Sequence, residues 1–571
     1  MSRIEIVRIR NFRSIKQADV NLNDLNVFVG KNNVGKTNLL KALLWFINPN
    51  IGVDAVDFCD GSLELEVSCK IVDISKEQQE KINNYYGSLH RYIRNNCLYI
   101  QRRAYIERSE ERRVHVDSRC VSGDGSLETG VWIRSSDVSE DDIQEVLPKL
   151  LYIPALFSLD KTVEKFALKA LENLADIVLS SHGVVYDVNF LTKDRIERFN
   201  NQNIVRHVED EINKELRYFS VGNDIKIKIL PPAVKEDGLL STSVCFEEDG
   251  VCRKTEYFGQ GLIRMAQVAM LRYLARDQGK YGDSVLLLMD EPELSLHPQV
   301  IDEISRTFIM LTENNQLTFQ VLLCTHSPVI VKNRIMFENT RVVTKEDGCC
   351  IKERNLIENN EAILRIALDL ENLAYSLFSD LVIIVEGVSD KILLSETLRE
   401  YDSNGIYRKI SILSSQSCKN SFGLRKLLRS MGLKVILVQD FDALQNKEYR
   451  KFGEYSSFDE SLRFFISEKY PERTSLGAKE MEVFVADKAR LATAVPLIDK
   501  LKQNAIWTWP CGDIENVFYG EVKGNNKPAL ASEYIEKRIG MSWSCYIDAN
   551  GGDSGIVSNF VNWVNSYLWE I

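Results

Sequence analysis

Two groups of residues in this chain have the types and the spacing that phosphate chemistry needs. The first lies in the segment GKNNVGKT, residues 30–37, which follows a short strand-like run and precedes helical spacing. Glycines here let backbone N–H groups face phosphates, while the lysine neutralises the β- and γ-phosphates and the threonine holds Mg²⁺. We therefore predict a nucleotide site formed by Gly30, Asn32, Asn33, Gly35, Lys36, Thr37 and Asn38.

An acidic pair after an apolar run completes this first group. Residues 286–289 read as a buried strand, and Asp290 and Glu291 follow at its end. We expect Asp290 to bind Mg²⁺ through water beside Thr37, and Glu291 to polarise the attacking water. His326 follows a second apolar run and is expected to contact the γ-phosphate. The order of these motifs predicts ATP hydrolysis, with Glu291 and His326 as catalytic residues.

The second group consists of acidic residues in three further segments. Glu386 ends an apolar run and Asp390 follows four residues later, while Asp440 and Asp442 would share one face if their strand continues. Carboxylates suit Mg²⁺ or Mn²⁺, and two such ions stabilise the attacking and leaving oxygens of a phosphodiester displacement. We predict metal ligands at Glu386, Asp390, Asp440, Asp442, Asp513 and Glu515, with Glu386, Asp440 and Asp442 also catalytic.

The composition argues for a soluble protein of several domains. The chain has 571 residues, of which 44% are hydrophobic and 27% charged, and its net charge is −11. The cysteines form no C-x-x-C pair, and no apolar run approaches the roughly 18 residues of a membrane span, so we expect a cytoplasmic protein without membrane contact. With a negative net charge, DNA contact needs local basic patches. Two are present, Arg102, Arg103, Arg108, Arg112 and Arg113, and Arg425, Lys426 and Arg429.

Gly259 and Gly261 open a long helical run at the place where ABC ATPases carry their signature motif. In that class the signature of one subunit binds the γ-phosphate held by the P-loop of another, because a helix N-terminus and glycine backbone face the anion. The segment FGQG departs from the usual Ser-Gly-Gly-Gln wording. Its position still predicts composite ATP sites and therefore at least a homodimer.

Taken together, the motifs resemble the OLD (overcoming lysogenization defect) family, in which an ABC-type P-loop ATPase precedes a Toprim domain. The glutamate strand ending at Glu386 and the later Asp440-x-Asp442 strand form the Toprim pattern. The resemblance implies an α/β fold with a helical dimerisation insertion in the ATPase and a C-terminal, Rossmann-like Toprim nuclease domain. The corresponding ranges are 1–156 and 219–345 for the ATPase, 157–218 for the insertion, 346–376 for a linker and 377–571 for Toprim.

The same resemblance implies an activity and partners. Family members look like ATP-dependent nucleases that use Mg²⁺ or Mn²⁺, and many act in bacterial defence against phage. The implied partners are double-stranded DNA, a homodimer or higher oligomer, and either a helicase-like protein, as in Gabija systems, or a retron reverse transcriptase with its RNA. The family also uses a lysine late in the Toprim half, for which Lys537 is the candidate. Since paired-metal cleavage needs no ATP energy, we expect the nucleotide to gate cleavage.

Three other functions remain open from the residues alone. A chromosome-organising or repair clamp would join the ATPase to an inactive Toprim half, although no long heptad array accompanies the motifs. A topoisomerase or primase would use the same Toprim carboxylates, the former with a nucleophilic tyrosine. A defence sensor would use the ATPase to hold or release a partner effector.

Overall fold

The chain folds into two compact units, Met1–Glu353 and Arg354–Ile571. The computed structural model describes every residue except 1, 49–50, 60, 85–88, 108–113, 123–132, 135–139, 156–160, 183–202, 220–224, 235–239, 277–283, 314–317, 346–348, 353–372, 402–408, 521–525, 539 and 570–571. Across the described residues, every helix falls short of the length and apolar character that a membrane-spanning segment needs.

The first unit is built on three sheets. Its strands are β1 (Arg3–Phe12), β2 (Ile15–Asn21), β3 (Leu25–Val29), β4 (Glu64–Val72), β5 (Leu98–Ile106), β6 (Val114–Ser122), β7 (Ile133–Arg134), β8 (Lys149–Ile153), β9 (Lys226–Val234), β10 (Leu240–Glu248), β11 (Val251–Lys254), β12 (Val285–Asp290), β13 (Phe319–Thr325), β14 (Thr340–Lys345) and β15 (Cys349–Lys352). Its helices are α1 (Lys36–Ile47), α2 (Lys76–Asn84), α3 (Glu140–Val146), α4 (Lys161–Ser181), α5 (Asn203–Phe219), α6 (Gln260–Arg276), α7 (Pro298–Glu313), α8 (Pro328–Val331) and α9 (Arg334–Glu338).

The predicted nucleotide residues follow strands of one mostly parallel sheet with the order β15-β14-β3-β13-β12-β8. Every residue of β3, β12 and β13 is buried, which is why these strands read as continuous apolar runs. Val29 pairs with Thr325, and Asp290 pairs with Cys324. The segments after β3, β12 and β13 therefore leave the sheet at the same edge.

A hydrophobic core joins this sheet to α1 and to the antiparallel sheet β2-β1-β4-β5-β6-β7. Leu40 and Leu43 of α1 lie in one buried cluster with Val7 of β1 and Leu288 of β12. Burial of these aliphatic side chains favours the folded state by about 25 cal/mol per Å² of apolar surface. Because α1 begins directly after the glycine loop, this packing gives the loop a rigid support.

The helices of the predicted insertion, residues 157–218, pack against their own unit. The hydroxyl of Tyr273 in α6 lies 3.0 Å from Nε2 of His182, the residue that follows α4. Asn213 of α5 donates to the carbonyl of Ile227 in β9 at 2.9 Å and accepts from its backbone N–H at 2.7 Å. These bonds satisfy the outer backbone groups of β9 at Ile227. Helices α4 and α5 are thus part of the first unit, and their role in dimerisation stays a prediction.

The described ends of the predicted linker, residues 346–376, form regular structure. Cys349 pairs with Lys345, so β15 extends the sheet of the first unit as a hairpin with β14. At the other end, residues 373–376 form a short helix of the second unit. The hairpin adds β15 as an antiparallel edge strand next to β14. The charged sequence of this segment did not indicate a strand.

The second unit contains a four-stranded parallel sheet with helices before, between and after its strands. The strands are β16 (Leu381–Val385), β17 (Ile410–Ser414), β18 (Val435–Gln439) and β19 (Ile506–Thr508), in the order β17-β16-β18-β19. The helices are α10 (Leu373–Ser376), α11 (Val388–Glu400), α12 (Cys418–Ser430), α13 (Tyr455–Lys469), α14 (Ala478–Val485), α15 (Lys488–Gln503), α16 (Ile514–Tyr519), α17 (Lys527–Glu536), α18 (Trp543–Ala549) and α19 (Ser554–Trp569).

The expectation that Asp440 and Asp442 lie on a continuing strand is wrong. Strand β18 ends at Gln439, and Asp440 precedes a 3₁₀ turn, Phe441–Gln445, that contains Asp442. The backbone N–H of Phe441 donates to the carbonyl of Gly512 at 2.7 Å. This bond draws the chain away from the sheet and places residues 440–442 beside the segment that carries Asp513.

Candidate functional site

The glycine loop of the first unit has a backbone that only glycine adopts readily. Gly30 has a φ of 151°, and a Cβ atom there would lie 2.4 Å from the carbonyl oxygen of Val343 in β14. Gly35 precedes α1 with a φ of 108°. Asn32 and Asn33 form the exposed tip between them. The loop therefore keeps its backbone close to the sheet edge and its tip open to solvent.

Lys36 and Thr37 begin α1 and point toward the groups expected to hold a nucleotide. The Lys36 ammonium is buried and donates to the carbonyls of Gly30 and Lys31 at 2.9 and 2.7 Å. Burial lowers the pKa of Lys36. The Thr37 hydroxyl donates to Asp290 Oδ2 at 2.9 Å, so the two residues predicted to bind Mg²⁺ are adjacent. Asn38 instead donates to the hydroxyl of Ser14 at 2.9 Å.

Asp290, Glu291 and His326 meet at the same sheet edge. Burial raises the pKa of Asp290 to about 6, against the opposing hydrogen bond from Thr37. His326 Nε2 lies 3.6 Å from Glu291 Oε1. Burial and the nearby charge of Lys36 lower the pKa of His326 to about 4, so its imidazole is neutral near pH 7. A carboxylate beside a neutral imidazole can orient a water molecule against a bound phosphate.

Two residues that support this edge were missed in the sequence. Glu293 accepts the backbone N–H of His326 at 2.8 Å, and burial raises the pKa of Glu293. Arg264 of α6 is fully buried and donates to the carbonyl of Pro154 at 2.9 Å. Glu293 could have been noticed from its place in DEPE, but nothing in the spacing separates Arg264 from a surface arginine.

The predicted signature residues, Gly259 and Gly261, lie at the start of α6 and pack partly against their own chain. A Cβ atom on Gly261 would lie 2.9 Å from the carbonyl oxygen of Ser295, in the segment after Glu291. Gly259 has open space around the corresponding position. The start of α6 therefore packs at Gly261 against the segment that follows the acidic pair, whereas a side chain at Gly259 would have room.

The second unit gathers its predicted acidic residues at the carboxyl edge of its sheet. Asp390, in the first turn of α11, accepts the backbone N–H of Gly387 at 2.9 Å. Asp513 caps α16 by accepting the backbone N–H of Asn516 at 2.9 Å. Glu386 follows β16, and the pKa of Asp440 is raised by burial and by the charges of neighbouring carboxyls. We call the set of Glu386, Asp390, Asp440, Asp442, Asp513 and Glu515 the acidic cluster.

Several carboxylate oxygens of the acidic cluster are buried without a hydrogen-bond partner in the described part of the chain, namely Glu386 Oε1, Asp440 Oδ1 and Glu515 Oε1. Burial, followed by repulsion from Asp442 and Asp390, raises the pKa of Glu386 to about 8. A cavity of about 10 Å³, room for about one water or ion, is bounded in part by Asp440, Asp442 and Asp513. Unpartnered, buried carboxylates of this kind fit a hard divalent cation.

The carboxylate oxygens of the acidic cluster do not surround a single point. Among the described residues, no three acidic, histidine or cysteine side chains stand at the spacing that one bound ion requires. Lys527 lies among the acids instead, with its ammonium 2.9 Å from Asp513 Oδ2 and 3.1 Å from Glu515 Oε2. A bound cation would therefore need these side chains to move closer together.

The structure places Lys527, not the predicted Lys537, in contact with the acidic cluster. Lys537 ends the same helical segment and pairs with Glu533 at 2.5 Å, with 66% of its side chain exposed. The two lysines are ten residues apart, at opposite ends of α17, and only the first residue of that helix reaches Asp513. The expectation for Lys537 came from the resemblance and is corrected on this contact.

The basic patches predicted for DNA contact are largely engaged inside the protein. Arg102 is fully buried and donates to Ser118 Oγ at 2.7 Å and to Glu140 at 2.8 Å, so it is wrong as a DNA contact. Arg103 pairs with Glu64 at 3.0 Å. The other predicted arginines of this patch, Arg108, Arg112 and Arg113, lie outside the described residues.

On α12, two of the three predicted basic residues also make internal bonds. Arg425 donates to the carbonyl of Asn504, and Arg429 donates to the carbonyl of Val435 at 3.1 Å. Lys426 is exposed on the same helix. These bonds hold α12 against the sheet and weaken the case for this patch as a DNA-binding surface.

The metal-free protein is expected to lose stability between pH 4.5 and about pH 8 through Glu386. The pKa of this carboxyl rises from 4.5 to about 8 on folding. A group whose pKa is raised by folding stabilises the folded state below its unfolded pKa, and that contribution is lost as the pH rises through the folded value. In EDTA, the Tm of the wild type relative to Glu386→Gln should fall by several degrees across this window.

Two controls make the pH experiment specific. Glu468→Gln removes an exposed glutamate of the second unit and should track the wild type at every pH. Saturating Mn²⁺ should raise the Tm of the wild type more at pH 8 than at pH 5, because a cation binds the deprotonated carboxylates. If the Tm of the wild type and of Glu386→Gln depended equally on pH in EDTA, folding would not raise the pKa of Glu386.

Comparison with known proteins agrees with this division into two units. The family model described as "AAA ATPase domain" matches residues 3–147 and 74–331, and the one described as "Overcoming lysogenization defect protein-like, TOPRIM domain" matches residues 377–442. The chain is 24% identical over 562 residues to the Old nuclease of Escherichia phage P2, covering 90% of this chain and 93% of that protein. It is 25% identical over 423 residues to Endonuclease GajA of Bacillus cereus strain VD045, covering 70% and 69%.

Among solved structures, an Smc head bound to the C-terminal winged-helix domain of ScpA covers 61% of this chain and 97% of its own, with 12% identity and a TM-score of 0.38. A score this low does not establish a shared overall fold. An AAA ATPase domain followed by a Toprim domain implies the use of a nucleotide and of a divalent metal ion. Because the ATPase match spans more than half of the chain, the chain belongs to the family of AAA ATPase domain proteins, and the match that follows it adds a Toprim domain like that of the overcoming-lysogenization-defect protein.

Proposed function

We propose that this protein is a nucleotide-regulated endonuclease that cleaves double-stranded DNA with Mg²⁺ or Mn²⁺ held by the acidic cluster. The observation that carries the proposal is the set of buried, unpartnered carboxylate oxygens on Glu386, Asp440 and Glu515. Such groups cost free energy unless a cation or a proton compensates them. The names of the two relatives, a nuclease and an endonuclease, support the same reading.

In this proposal the residues of the second unit bind the ions and the scissile phosphate. Glu386, Asp440 and Asp442 hold one divalent cation, and Asp390, Asp513 and Glu515 complete the cluster. A cation bound there supplies the positive charge that stabilises the attacking and leaving oxygens of a phosphodiester. The protein contributes the fixed carboxylates and the buried setting, which strengthens their hold on a hard cation.

The first unit is proposed to bind and hydrolyse ATP. Lys36 and the loop backbone bind the β- and γ-phosphates, and Thr37 with Asp290 holds Mg²⁺. Glu291 orients the water that attacks the γ-phosphate, and the neutral imidazole of His326 contacts that phosphate. The nearness of His326 to Glu291, 3.6 Å between Nε2 and Oε1, supports a shared role.

Assembly is proposed to complete the nucleotide site. Gly259 and Gly261 of one copy face the nucleotide in the P-loop of a second copy, and α4 and α5 contribute to the homodimer or a higher oligomer. We further propose a cytoplasmic role in defence against phage, with a helicase-like protein or a retron reverse transcriptase and its RNA as candidate partners. The clamp alternative has less support, because the longest helix among the described residues, Lys161–Ser181, has 21 residues and not the length of a coiled-coil arm.

A cleavage assay with metal removal tests the proposal. Supercoiled plasmid and linear duplex DNA should be cut in Mg²⁺ or Mn²⁺. The assay is run with and without ATP, and the rate of cutting should differ between the two conditions. In EDTA, cutting should disappear, because the phosphodiester oxygens lose their counter-charge. Cutting that persists in EDTA would contradict the metal cluster, and ATP-dependent bridging of DNA without cutting in any cation would favour a clamp.

A further inference from the structure

Lys527 occupies a place that its own helix does not favour. It is the first residue of α17, where the partial positive charge of a helix N-terminus repels a cation. Its ammonium is nevertheless held by two carboxylates, at 2.9 Å from Asp513 Oδ2 and 3.1 Å from Glu515 Oε2. The position of Lys527 is therefore set by the acidic cluster and not by the electrostatics of α17.

The carboxylates that hold this lysine are poorly solvated. Asp513 and Glu515 are 6% and 1% exposed, whereas 42% of the Lys527 side chain is exposed. The second oxygen of Glu515, Oε1, is buried without a partner in the described part of the chain. The Lys527 ammonium thus compensates one oxygen of each carboxylate and leaves Glu515 Oε1 without a hydrogen-bond partner among the described residues. It reaches the pair from the solvent side.

The charge of Lys527 acts on more of the cluster than its two direct partners. Burial raises the pKa of Asp390, Asp442 and Glu515, and the charge of Lys527 opposes that rise at each of them. Burial alone would lower the pKa of Lys527, but Glu515 and Asp513 together raise it, so its ammonium stays charged. Lys527 therefore supplies positive charge at the position where the cluster otherwise repels itself.

We propose that Lys527 is a displaceable internal counter-ion, whose ammonium must leave Asp513 and Glu515 before a divalent cation can bind there. The inference rests on the proposed function, since it assumes that the acidic cluster binds metal. An ammonium and a divalent cation at the same two carboxylates repel each other strongly in a buried setting. The flexible, half-exposed stem of Lys527 gives the ammonium a route into solvent. The lysine thereby raises the cation concentration at which this half of the cluster fills.

The proposal is tested by counting bound Mn²⁺ on the nucleotide-free, metal-stripped full chain by electron paramagnetic resonance. In Lys527→Met, the weaker binding step of the cluster should tighten at least about tenfold, since the competing charge is gone. The rise in Tm on adding Mn²⁺ should also be larger than in the wild type, because the metal-free variant carries uncompensated buried carboxylates. Lys527→Gln, which keeps hydrogen-bond donors without the charge, provides a second reading if the methionine variant does not fold.

A matched control separates this effect from the loss of any surface lysine. Lys488 is the first residue of α15, as Lys527 is the first residue of α17, but Lys488 is exposed to solvent. Lys488→Met should bind Mn²⁺ as the wild type does. Unchanged or weaker Mn²⁺ binding in both Lys527 variants would overturn the counter-ion role and leave the proposed nuclease standing. If the wild type binds no more Mn²⁺ than Asp440→Asn, the metal cluster and the proposed function fail together.

Discussion

Asp440→Asn is expected to lower metal-dependent DNA cleavage by at least about 10²- to 10³-fold while ATP turnover stays at the wild-type rate. The change keeps the size and shape of the side chain but replaces a carboxylate oxygen by an amide. Asp440 Oδ1 is buried without a hydrogen-bond partner among the described residues, so its value to the protein lies in a cation and not in an internal bond. A neutral amide holds a hard cation much more weakly.

The same substitution has an opposite expected effect on stability, which separates lost chemistry from a damaged fold. Burial and the charges of Asp390 and Glu386 raise the pKa of Asp440 well above its usual range. A neutral side chain relieves that repulsion, so in EDTA at pH 8 the Tm of Asp440→Asn should equal or exceed that of the wild type. Loss of cleavage together with retained or higher stability is the signature of a removed metal ligand.

The control for this variant is Asp499→Asn. Asp499 lies on α15 of the same unit with 62% of its side chain exposed, and its Oδ1 lies 3.6 Å from the ammonium of Lys502. It should cut DNA and turn over ATP as the wild type does. Normal cleavage by Asp440→Asn would remove Asp440 from the metal site, and loss of ATP turnover as well would indicate a change beyond the second unit.

The positions of the site residues were predictable wherever one local rule was sufficient. The glycine loop places its own backbone, since Gly30, Gly35 and Lys36 are neighbours in sequence. Asp290 and Glu386 could be placed because each ends an apolar run, and the carboxyl ends of parallel strands meet at one edge of a sheet. The pattern of apolar runs thus indicated both sites without any contact being known.

What the sequence left undetermined depends on contacts between distant segments. Arg102 looked like part of a surface patch, but it is fully buried and donates to Ser118, 16 residues later, and to Glu140, 38 residues later. Lys527 and Lys537 both lie on one helical segment, and only the packing of α17 against the loop before α16 decides which one meets Asp513. Burial of a charged side chain follows from its partner, and no local pattern names a partner that lies far along the chain.

Lys36→Ala is expected to abolish the response of DNA cleavage to ATP while leaving nucleotide-free cleavage unchanged. Lys36 is 5% exposed, and its ammonium is already turned toward the loop, where it donates to the carbonyls of Gly30 and Lys31. Without it, the β- and γ-phosphates lose a buried charge partner, so ATP affinity should fall by at least about tenfold. The acidic cluster belongs to the other unit and keeps all of its residues, so the chemistry of cleavage should persist.

A second variant separates nucleotide binding from hydrolysis. In Glu291→Gln the loop, Lys36 and Thr37 remain, so ATP should bind with near wild-type affinity. The amide cannot accept a proton from the attacking water, and turnover should fall by about 10²- to 10⁴-fold. If bound nucleotide sets the gate, Glu291→Gln should show the ATP response of cleavage in full and hold it for longer than the wild type. If hydrolysis sets the gate, Glu291→Gln should behave like Lys36→Ala.

The comparison needs a lysine whose loss leaves the loop intact, and Lys76 provides it. Lys76 is the exposed first residue of α2, as Lys36 is the first residue of α1, and Lys76→Ala should bind ATP and respond to it as the wild type does. ATP binding is measured by equilibrium titration and cleavage by plasmid nicking on the same preparations. A Lys36→Ala protein that no longer binds ATP, yet still changes its cleavage when ATP is added, would show that the nucleotide acts elsewhere, because a gate at residues 30–37 requires the nucleotide to be bound there.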